Sequence, residues 1–310
     1  MLALEDELAR AAAPGDAYLS IGVFDGVHSG HRHLLALLKR EAARADCIPA
    51  VVTFRNHPRA VLNPGLAISS LTTLEERICL LREIGVEVVV PVTFTQEVSL
   101  LAASQFVALL QGHMRMRGLV VGPDFALGHN REGTPEVLRA LGTNMGFTVT
   151  VADAYTRAGS RVSSSAIRNA LAQGEVATAS RLLGRHYALT GEVVHGAGRG
   201  GRMLGYPTAN LAVDNYMALP ADSIYATWAY VDGRRYQAAT SIGVRPTFGA
   251  GERTIEAFLL DFHGDLYGKR LRLEFVKRLR DETRFDSAEA LRRQMEADVE
   301  ETRRVLTASG

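Results

Sequence analysis

Hydrophobic residues follow two different periods along the chain, and the first part is marked by continuous apolar runs. These runs alternate with segments in which leucine recurs at the spacing of an amphipathic helix. The runs predict buried strands at residues 18–24, 48–54, 86–94, 118–125 and 147–153. The intervening segments predict helices at residues 31–45, 71–85 and 104–111. Repeated β-α-β units of this kind predict an α/β domain with a parallel sheet covered on both faces.

Two further helical segments close this first part of the chain. One begins with serine hydroxyls that can cap a helix and ends at Gly174, and the next one ends at Gly184. The first domain is therefore predicted to span residues 1–185.

From residue 186 onward the hydrophobic positions alternate with a period of two, as in half-buried strands. Strands are predicted at residues 187–196, 223–231, 234–243, 254–262 and 269–279. Asp232-Gly233 between two of them is a strong hairpin signal. Residues 186–310 are thus predicted to form an antiparallel β-barrel followed by one carboxy-terminal helix. The apolar stripe of that helix is expected to be core, and it consists of Leu291, Met295, Val299 and Leu306.

Composition and charge exclude several classes of function. Of the 310 residues, 47% are hydrophobic and 22% are charged, as in a soluble globular protein. The 35 lysines and arginines against 34 aspartates and glutamates argue against a general nucleic-acid or membrane-surface binder. The amino-terminal residues do not resemble a secretory signal, and Cys47 and Cys79 show no CxxC spacing. We therefore expect a cytoplasmic protein without nucleic acid, membrane or an obligatory protein partner.

The segment FDGVHSGH at residues 24–31 joins the first predicted strand directly to a helix. Its glycines, with Gly22 before it, let the backbone approach a ligand, and the helix start offers unpaired amides to an anion. His28 and His31 are three residues apart, so both rings can lie on one side and contact phosphate, as imidazole or imidazolium. A lone histidine there is more often a cap or surface residue, but the strand-loop-helix context favours a nucleotide site. His33 has no partner motif and is expected to be structural or solvated.

A second motif, RVSSSAIR at residues 161–168, opens a later predicted helix. Ser164 and Ser165 offer hydroxyls at its first turn, and Arg168 offers an always-charged group that binds phosphate through two hydrogen bonds. Serines at a helix start are usually only N-caps. Beside the histidine loop, we interpret them as the second half of a triphosphate clamp.

Together these motifs resemble the nucleotidylyltransferase superfamily, whose fold is Rossmann-like. More narrowly, GVFDGVHSGH, VTF and His-Pro at 52–58, VVGPDFALG at 120–128 and RVSSSAIR resemble the first half of bifunctional riboflavin kinase/FMN adenylyltransferases, the prokaryotic FAD synthetases. The resemblance implies phosphate-handling or catalytic roles for His28, His31, Ser164, Ser165 and Arg168. It implies nucleotide or flavin contacts for Gly22, Phe24, Asp25, Gly26, Asp124, Phe125 and Arg161.

Several positions depart from the pattern of that family. An acidic residue and a proline are common where Arg55 and Asn56 stand, before the His-Pro pair. A polar or aromatic pair is more usual than Ala126 and Leu127, and Ser165 replaces a threonine but keeps the hydroxyl. The departures concern flavin contacts more than the adenylyltransferase activity itself.

The glycine-rich segment at residues 196–201 fits G-x-G-x-x-G but does not indicate a dinucleotide fold. It follows a strand of the β-rich half, and Pro207 and Asn210 oppose a long helix after it. A plain glycine-rich loop is the simplest interpretation, although Arg199 and the backbone amides also suit an anion.

Oxygen ligands of the kind that Mg²⁺ prefers follow in the segment GYPTAN. Thr208 supplies a hydroxyl and Asn210 a carbonyl, which suit a cation that keeps most of its waters and phosphates. Glu256 lies on the apolar face of the predicted strand 254–262, where an acid needs a partner or a function. It is interpreted as a general base toward an alcohol that attacks ATP, and a salt bridge to an arginine is the alternative.

The second half resembles the riboflavin kinase domain in the order and spacing of GRGGRMLGYPTANL, SIGVRPTFG, TIEAFLLDF and residues 265–287. Members of that family have a six-stranded barrel and use ATP and Mg²⁺ to phosphorylate the ribityl 5′-hydroxyl. The resemblance assigns Thr208 and Asn210 to the metal and nucleotide, and Glu256 to the base. Cofactor contacts are further predicted at Gly198, Arg199, Gly205 and Pro207.

We expect a bifunctional enzyme that converts riboflavin to FMN in residues 186–310 and FMN to FAD in residues 1–185. ATP is the expected co-substrate and Mg²⁺ the expected cofactor. One alternative is a riboflavin kinase with an inactive or regulatory nucleotidylyltransferase-like domain. Another is a flavin or nucleotide sensor without turnover, and a third is a different small-molecule nucleotidylyltransferase, which would leave the barrel motifs without a purpose.

Overall fold

The computed structural model describes residues 3–11, 13–157, 159–196, 206–244 and 253–308. The chain divides into two compact units, Met1–Ser164 and Ser165–Gly310. The boundary between the two units lies between residues 164 and 165. The two helices that end before residue 185 therefore belong to the second unit. The domain boundary near residue 185 stays a prediction.

The first unit contains a five-stranded parallel sheet. Its strands are β1 (Ala17–Ile21), β2 (Ile48–Phe54), β3 (Val88–Val92), β4 (Met116–Val121) and β5 (Thr148–Val151). They are ordered β3-β2-β1-β4-β5, so the order reverses between β1 and β4. Open α/β sheets bind ligands in the crevice at the carboxyl ends of the strands beside such a reversal. The loops that leave these two ends carry the FDGVHSGH and GPDF residues.

Helices cover both faces of this sheet, as predicted. They are α1 (Ala3–Arg10), α2 (Ser29–Arg44), α3 (Pro58–Leu62), α4 (Leu74–Glu83), α5 (Gln96–Ser99), α6 (Ala103–Met114) and α7 (Pro135–Met145). Leu19 of β1 packs in one apolar cluster with Leu110 of α6. The adjacent Tyr18 packs in the other cluster with Leu35 of α2 and Leu81 of α4. Neighbouring residues of a strand point to opposite faces, so the two clusters lie on the two sides of the sheet. A short hairpin of β6 (Thr156–Arg157) and β7 (Ser160–Arg161) completes the unit.

The second unit is a closed six-stranded antiparallel barrel with helices before and after it. The helices are α8 (Ser164–Ala172), α9 (Val176–Leu183) and α10 (Ala288–Thr307). The strands are β8 (Tyr187–Val194), β9 (Ala209–Ala212), β10 (Ser223–Val231), β11 (Arg234–Val244), β12 (Arg253–Leu259) and β13 (Arg270–Asp281). Their closed order is β10-β11-β12-β9-β8-β13, which leaves no sheet edge and confirms the predicted barrel.

The predicted hairpin between β10 and β11 is present. Asp232 and Gly233 have φ angles of 49° and 73°, the left-handed pair that a two-residue type I′ turn requires. The strands pair in register from Val231 opposite Arg234 to Ser223 opposite Ile242.

The carboxy-terminal helix α10 lies against the barrel, but its apolar stripe is divided between core and cavity. Leu306 is fully buried in a cluster with Trp228 of β10. The expectation that the whole stripe is core is therefore wrong, because its other three members, nearer the start of the helix, line a cavity: Leu291, Met295 and Val299. In the part of the chain that the structure describes, no helix has the length and apolar character needed to cross a membrane.

Candidate functional site

The loop after β1 has an unusual backbone conformation. Phe24 and Val27 have φ angles of 50° and 39°, and Gly26 between them has a φ of 81°. The left-handed region disfavours residues with side chains, and a β-branched valine especially. Phe24 and Val27 are both buried in the cluster under α2, so apolar packing holds the loop in this form.

The carboxylate of Asp25 turns inward from this loop. It accepts hydrogen bonds from the amides of Leu71 and Thr72 at 2.9 and 3.2 Å, and only 3% of the residue is exposed. The amide of Gly26 donates to the hydroxyl of Thr72 at 3.2 Å. Asp25 was predicted as a ligand contact, and in this structure its carboxylate binds a neighbouring loop of the protein.

His28 and His31 stack at the start of α2. Their ring centroids are 3.6 Å apart with an interplanar angle of 13°. His28 is the N-cap of the helix, and its Nδ1 accepts a hydrogen bond from the amide of His31 at 3.2 Å. A neutral His28 therefore carries its proton on Nε2. A Cβ at Gly30 would lie 3.2 Å from the His28 ring, so the glycine lets the ring lie close to the helix.

The surroundings of His31 favour its neutral form. Burial, followed by the proximity of His28 and of the Arg77 guanidinium, holds the pKa of His31 well below its usual value. Its Nδ1 is buried without a hydrogen-bond partner among the described residues. Of the two forms considered from the sequence, the environment supports imidazole rather than imidazolium at this position.

The loop after β4, the strand β7 and the first residue of α8 also contribute predicted residues. Asp124 and Arg161 form an ion pair with each other, and both side chains are more than half exposed. The hydroxyl of Ser164 donates to the backbone carbonyl of Asp25 at 2.9 Å, which joins the serine motif to the histidine loop. Phe125 is half-buried against the apolar cluster behind it.

Two further predicted residues belong to the helix α8. Ser165 is exposed in its first turn, and Arg168 is partly buried one turn later. Both residues are grouped with the second compact unit.

The departures from the family pattern at residues 55 and 56 have structural explanations. Arg55 donates to the carboxylate of Glu7 on α1 at 3.3 Å. The side chain of Asn56 pairs with the backbone of Phe94, donating to its carbonyl at 2.8 Å and accepting from its amide at 2.9 Å. At another of the departures, Leu127 pairs through its backbone with Gly133. Arg55 and Asn56 thus connect β2 to its surroundings within the first unit.

In the barrel, the structure brings the predicted residues Thr208, Asn210 and Glu256 together. The Thr208 hydroxyl donates to Oε2 of Glu256 at 3.0 Å. Asn210 on β9 lies directly opposite Glu256 on β12. The partner of Glu256 on its other side is Ser241 of β11. Glu256 thus has a polar partner in the Thr208 hydroxyl, as its place on an apolar face requires.

A cavity of about 700 Å³ opens beside this group, between the barrel and α10. Thr208 and Glu256 lie in its wall, and Tyr206 packs edge-on against Phe258 there, with the ring centroids 5.2 Å apart. Its other polar and aromatic lining residues have no role predicted from the sequence, although all but Asp298 lie in the segments at 241–249 and 265–287 that resemble the riboflavin kinase domain: Ser241, Arg280, Glu282, Thr283, Arg284, Phe285 and Asp298.

One ion pair in the cavity wall joins the barrel to α10. Arg280 on β13 donates to both carboxylate oxygens of Asp298 at 2.8 and 2.7 Å, and Gln294 donates to the same group at 3.0 Å. Asp298 is 7% exposed, so its charge is held almost entirely by these partners.

The group around Glu256 fits a hard cation that takes only a few of its ligands from the protein. Thr208, Asn210 and Glu256 supply a hydroxyl, an amide and a carboxylate, all with oxygen donors. Among the residues described, no cluster of three or more histidine, cysteine or acidic side chains could hold a metal. An ion at this group would therefore keep waters or substrate phosphates, as Mg²⁺ does. Pro207 is exposed beside it, and the predicted contacts Gly198, Arg199 and Gly205 lie outside the described residues.

Comparisons with known proteins match both halves of the chain. Residues 10–166 match the family model described as FAD synthetase, and residues 183–306 match the one described as riboflavin kinase. The crystal structure described as a macrolide-efflux protein from Streptococcus pneumoniae has the same fold, with a TM-score of 0.89 and 32% sequence identity over 96% of both chains.

Two relatives align with nearly the whole sequence. A bifunctional riboflavin kinase/FMN adenylyltransferase from Pseudomonas fluorescens is 39% identical over 94% of this chain and 93% of its own length. One from Escherichia coli K12 is 37% identical over 90% of both chains. At this identity and coverage, the chain belongs to the family of bifunctional riboflavin kinase/FMN adenylyltransferases.

Proposed function

We propose that this enzyme makes both flavin cofactors in two ATP-dependent steps. Residues 186–310 phosphorylate riboflavin to FMN, and residues 1–185 adenylylate FMN to FAD with release of pyrophosphate. The matches to both family models and to relatives named for both activities support this function. They favour it over a kinase with an inactive amino-terminal domain.

The contact between Thr208 and Glu256 beside the cavity is the observation that carries the kinase step. In this step Glu256 takes the proton of the ribityl 5′-hydroxyl, and the hydroxyl oxygen bonds to the γ-phosphorus of ATP. The bond from that phosphorus to the bridging oxygen breaks, which releases ADP. The apolar side chains of α10 in the cavity wall support binding of the flavin ring there.

In the adenylyl step, a phosphate oxygen of FMN attacks the α-phosphorus of ATP and pyrophosphate leaves. The FMN phosphate is already ionised near neutral pH, so the site needs positioning and charge neutralisation rather than a base. Neutral His31 suits the positioning part of this role, as a hydrogen-bond donor to phosphate. We assign phosphate binding to His28, His31, Ser164, Ser165 and Arg168, and nucleotide or flavin contacts to the loops around Gly22, Gly26, Asp124 and Phe125.

We further propose that Thr208 and Asn210 hold Mg²⁺, which when bound would neutralise phosphate charge. Their oxygen donors beside Glu256 support this assignment. The two free cysteines and the balanced charge support a cytoplasmic enzyme that acts on small molecules.

A product assay tests the proposed function. The purified chain is incubated with riboflavin, ATP and Mg²⁺, and separately with FMN, ATP and Mg²⁺, and flavins are separated by chromatography. We expect FMN and then FAD from riboflavin, and FAD from FMN. FMN without FAD would favour the kinase-only alternative, and tight flavin or ATP binding with unchanged ATP would favour a sensor.

A further inference from the structure

A buried polar cluster lies beneath the loop of residues 22–28. It consists of Asp25, Thr72 and Arg77. These residues are 3%, 1% and 4% exposed, respectively. Charged groups are rarely buried so deeply unless specific partners hold them. Thr72 and Arg77 belong to none of the motifs that indicate nucleotide chemistry, so their place beneath the histidine loop needs an explanation.

Thr72 connects the loop to the segment before α4. Its amide and its hydroxyl donate to Oδ1 of Asp25 at 3.2 and 3.3 Å. Its hydroxyl oxygen also accepts the hydrogen bond from the amide of Gly26 at 3.2 Å. One threonine hydroxyl therefore binds two successive residues of the loop.

Arg77 on α4 connects the same loop to the end of β2. Its Nη1 donates to the carbonyl of Phe54 at 2.8 Å, and its Nη2 lies 4.0 Å from Oδ1 of Asp25. The Thr53 hydroxyl, 3.5 Å from Nη1, donates in turn to the carbonyl of Val23 at 3.0 Å. The guanidinium thus balances the buried carboxylate and fixes the strand end next to it.

The loop needs such anchoring, because two of its non-glycine residues are left-handed. Such a conformation is strained and persists only where the surroundings over-determine the backbone. The loop ends at His28, whose ring stacks on His31. We propose that Thr72 and Arg77 are positioning residues for adenylyl transfer, which act through Asp25 and the Gly26 amide to keep the histidine pair in place. This inference rests on the proposed adenylyltransferase function of the first unit.

Four variants test the inference. Thr72→Val removes the hydroxyl at nearly constant volume, and Thr72→Ser restores it. Arg77→Met removes the guanidinium, and Arg82→Met removes an exposed arginine of the same helix as the matched control. For each variant, kcat and the KM for ATP are measured for FAD formation from supplied FMN. FMN formation by the same preparation reports whether the full chain is folded.

We expect Thr72→Val and Arg77→Met to lower kcat/KM for FAD formation by about tenfold to a hundredfold, as expected for lost buried hydrogen bonds. The KM for ATP should change, FMN formation should not, and Thr72→Ser and Arg82→Met should behave as the wild type. If Arg77→Met does not fold, the comparison of Thr72→Val with Thr72→Ser tests the inference. Wild-type FAD formation in Thr72→Val, or a parallel loss of both activities at unchanged KM, would overturn the inference. A wild-type chain that forms no FAD would instead refute the proposed function.

Discussion

The hydroxyl of Thr208, the residue directly before β9, donates a hydrogen bond to the carboxylate of Glu256 on the neighbouring strand β12. Thr208 is the residue assigned to the metal and nucleotide, and Glu256 is the residue assigned to the base. The contact orients the carboxylate in the wall of the cavity. The two assignments, made from separate motifs 48 residues apart, therefore concern one site.

Replacing Glu256 by glutamine should abolish FMN formation and leave FAD formation from supplied FMN intact. The amide oxygen of glutamine still accepts from Thr208, but it cannot take a proton. We expect the rate of FMN formation to fall by about 10²–10⁴-fold, the usual contribution of a general base. Chromatography of the flavin products measures both reactions. The exposed Glu192→Gln on β8 is the control, and loss of both reactions in Glu256→Gln would show that Glu256 is structural.

The opposite pattern is expected for His31→Ala. Removal of one phosphate donor should reduce FAD formation by about 10²–10³-fold, while FMN formation continues. His33→Ala on the same helix is the matched control, since His33 is exposed and contacts Tyr155 at a centroid distance of 5.3 Å. Unchanged adenylylation in His31→Ala would refute the phosphate-binding role of this residue.

The lowered pKa of His31 should make stability depend on pH. Below its usual pKa of 6.5 the unfolded chain binds a proton at His31 that the folded chain does not bind. The free energy of unfolding should therefore rise with pH up to about 6.5 and gain nothing from this residue above it. Urea unfolding between pH 5 and 8 measures the slope. His31→Gln should flatten it, and an equal slope in His31→Gln and the wild type would contradict the prediction.

Breaking the ion pair between Arg280 and Asp298 should affect the kinase half specifically. Arg280→Met leaves a carboxylate that is 7% exposed without its guanidinium, which should cost about 3 kcal/mol of stability. Because this pair joins α10 to the barrel beside the cavity, the KM for riboflavin should rise while FAD formation from FMN persists. Urea unfolding and initial rates measure the two effects. Arg280→Met/Asp298→Asn should recover part of the stability, and a double variant no more stable than the single one would argue against the pair.

Strong periodic patterns predicted most of the fold. The strands β2 and β10 have the predicted bounds, and the Asp232-Gly233 turn has the predicted conformation. Strand β9 was not predicted, because its four residues are too few for a period-two pattern. Helix α7 was also missed, although Thr134 caps it and Pro135 occupies its first turn, a combination that indicates a helix start.

The candidate sites were predictable only where a motif is continuous along the chain. His28 and His31 share one motif, so their proximity follows from helix geometry. The inward turn of Asp25 depends on Leu71 and Thr72, which reach it through the packing of α4 on the sheet. The Arg280–Asp298 pair likewise depends on how α10 packs on the barrel. Such long-range contacts have no local pattern in a single sequence.

The left-handed backbone at Phe24 and Val27 has a thermodynamic consequence for ligand binding. Burial of these two side chains during folding offsets the unfavourable conformation before any nucleotide arrives. A loop that is already in its final shape loses little conformational entropy when it binds a ligand. The loop after β1 is therefore preorganised, so in its proposed nucleotide-binding role the binding energy of the ligand would go toward the transition state instead of toward ordering the protein.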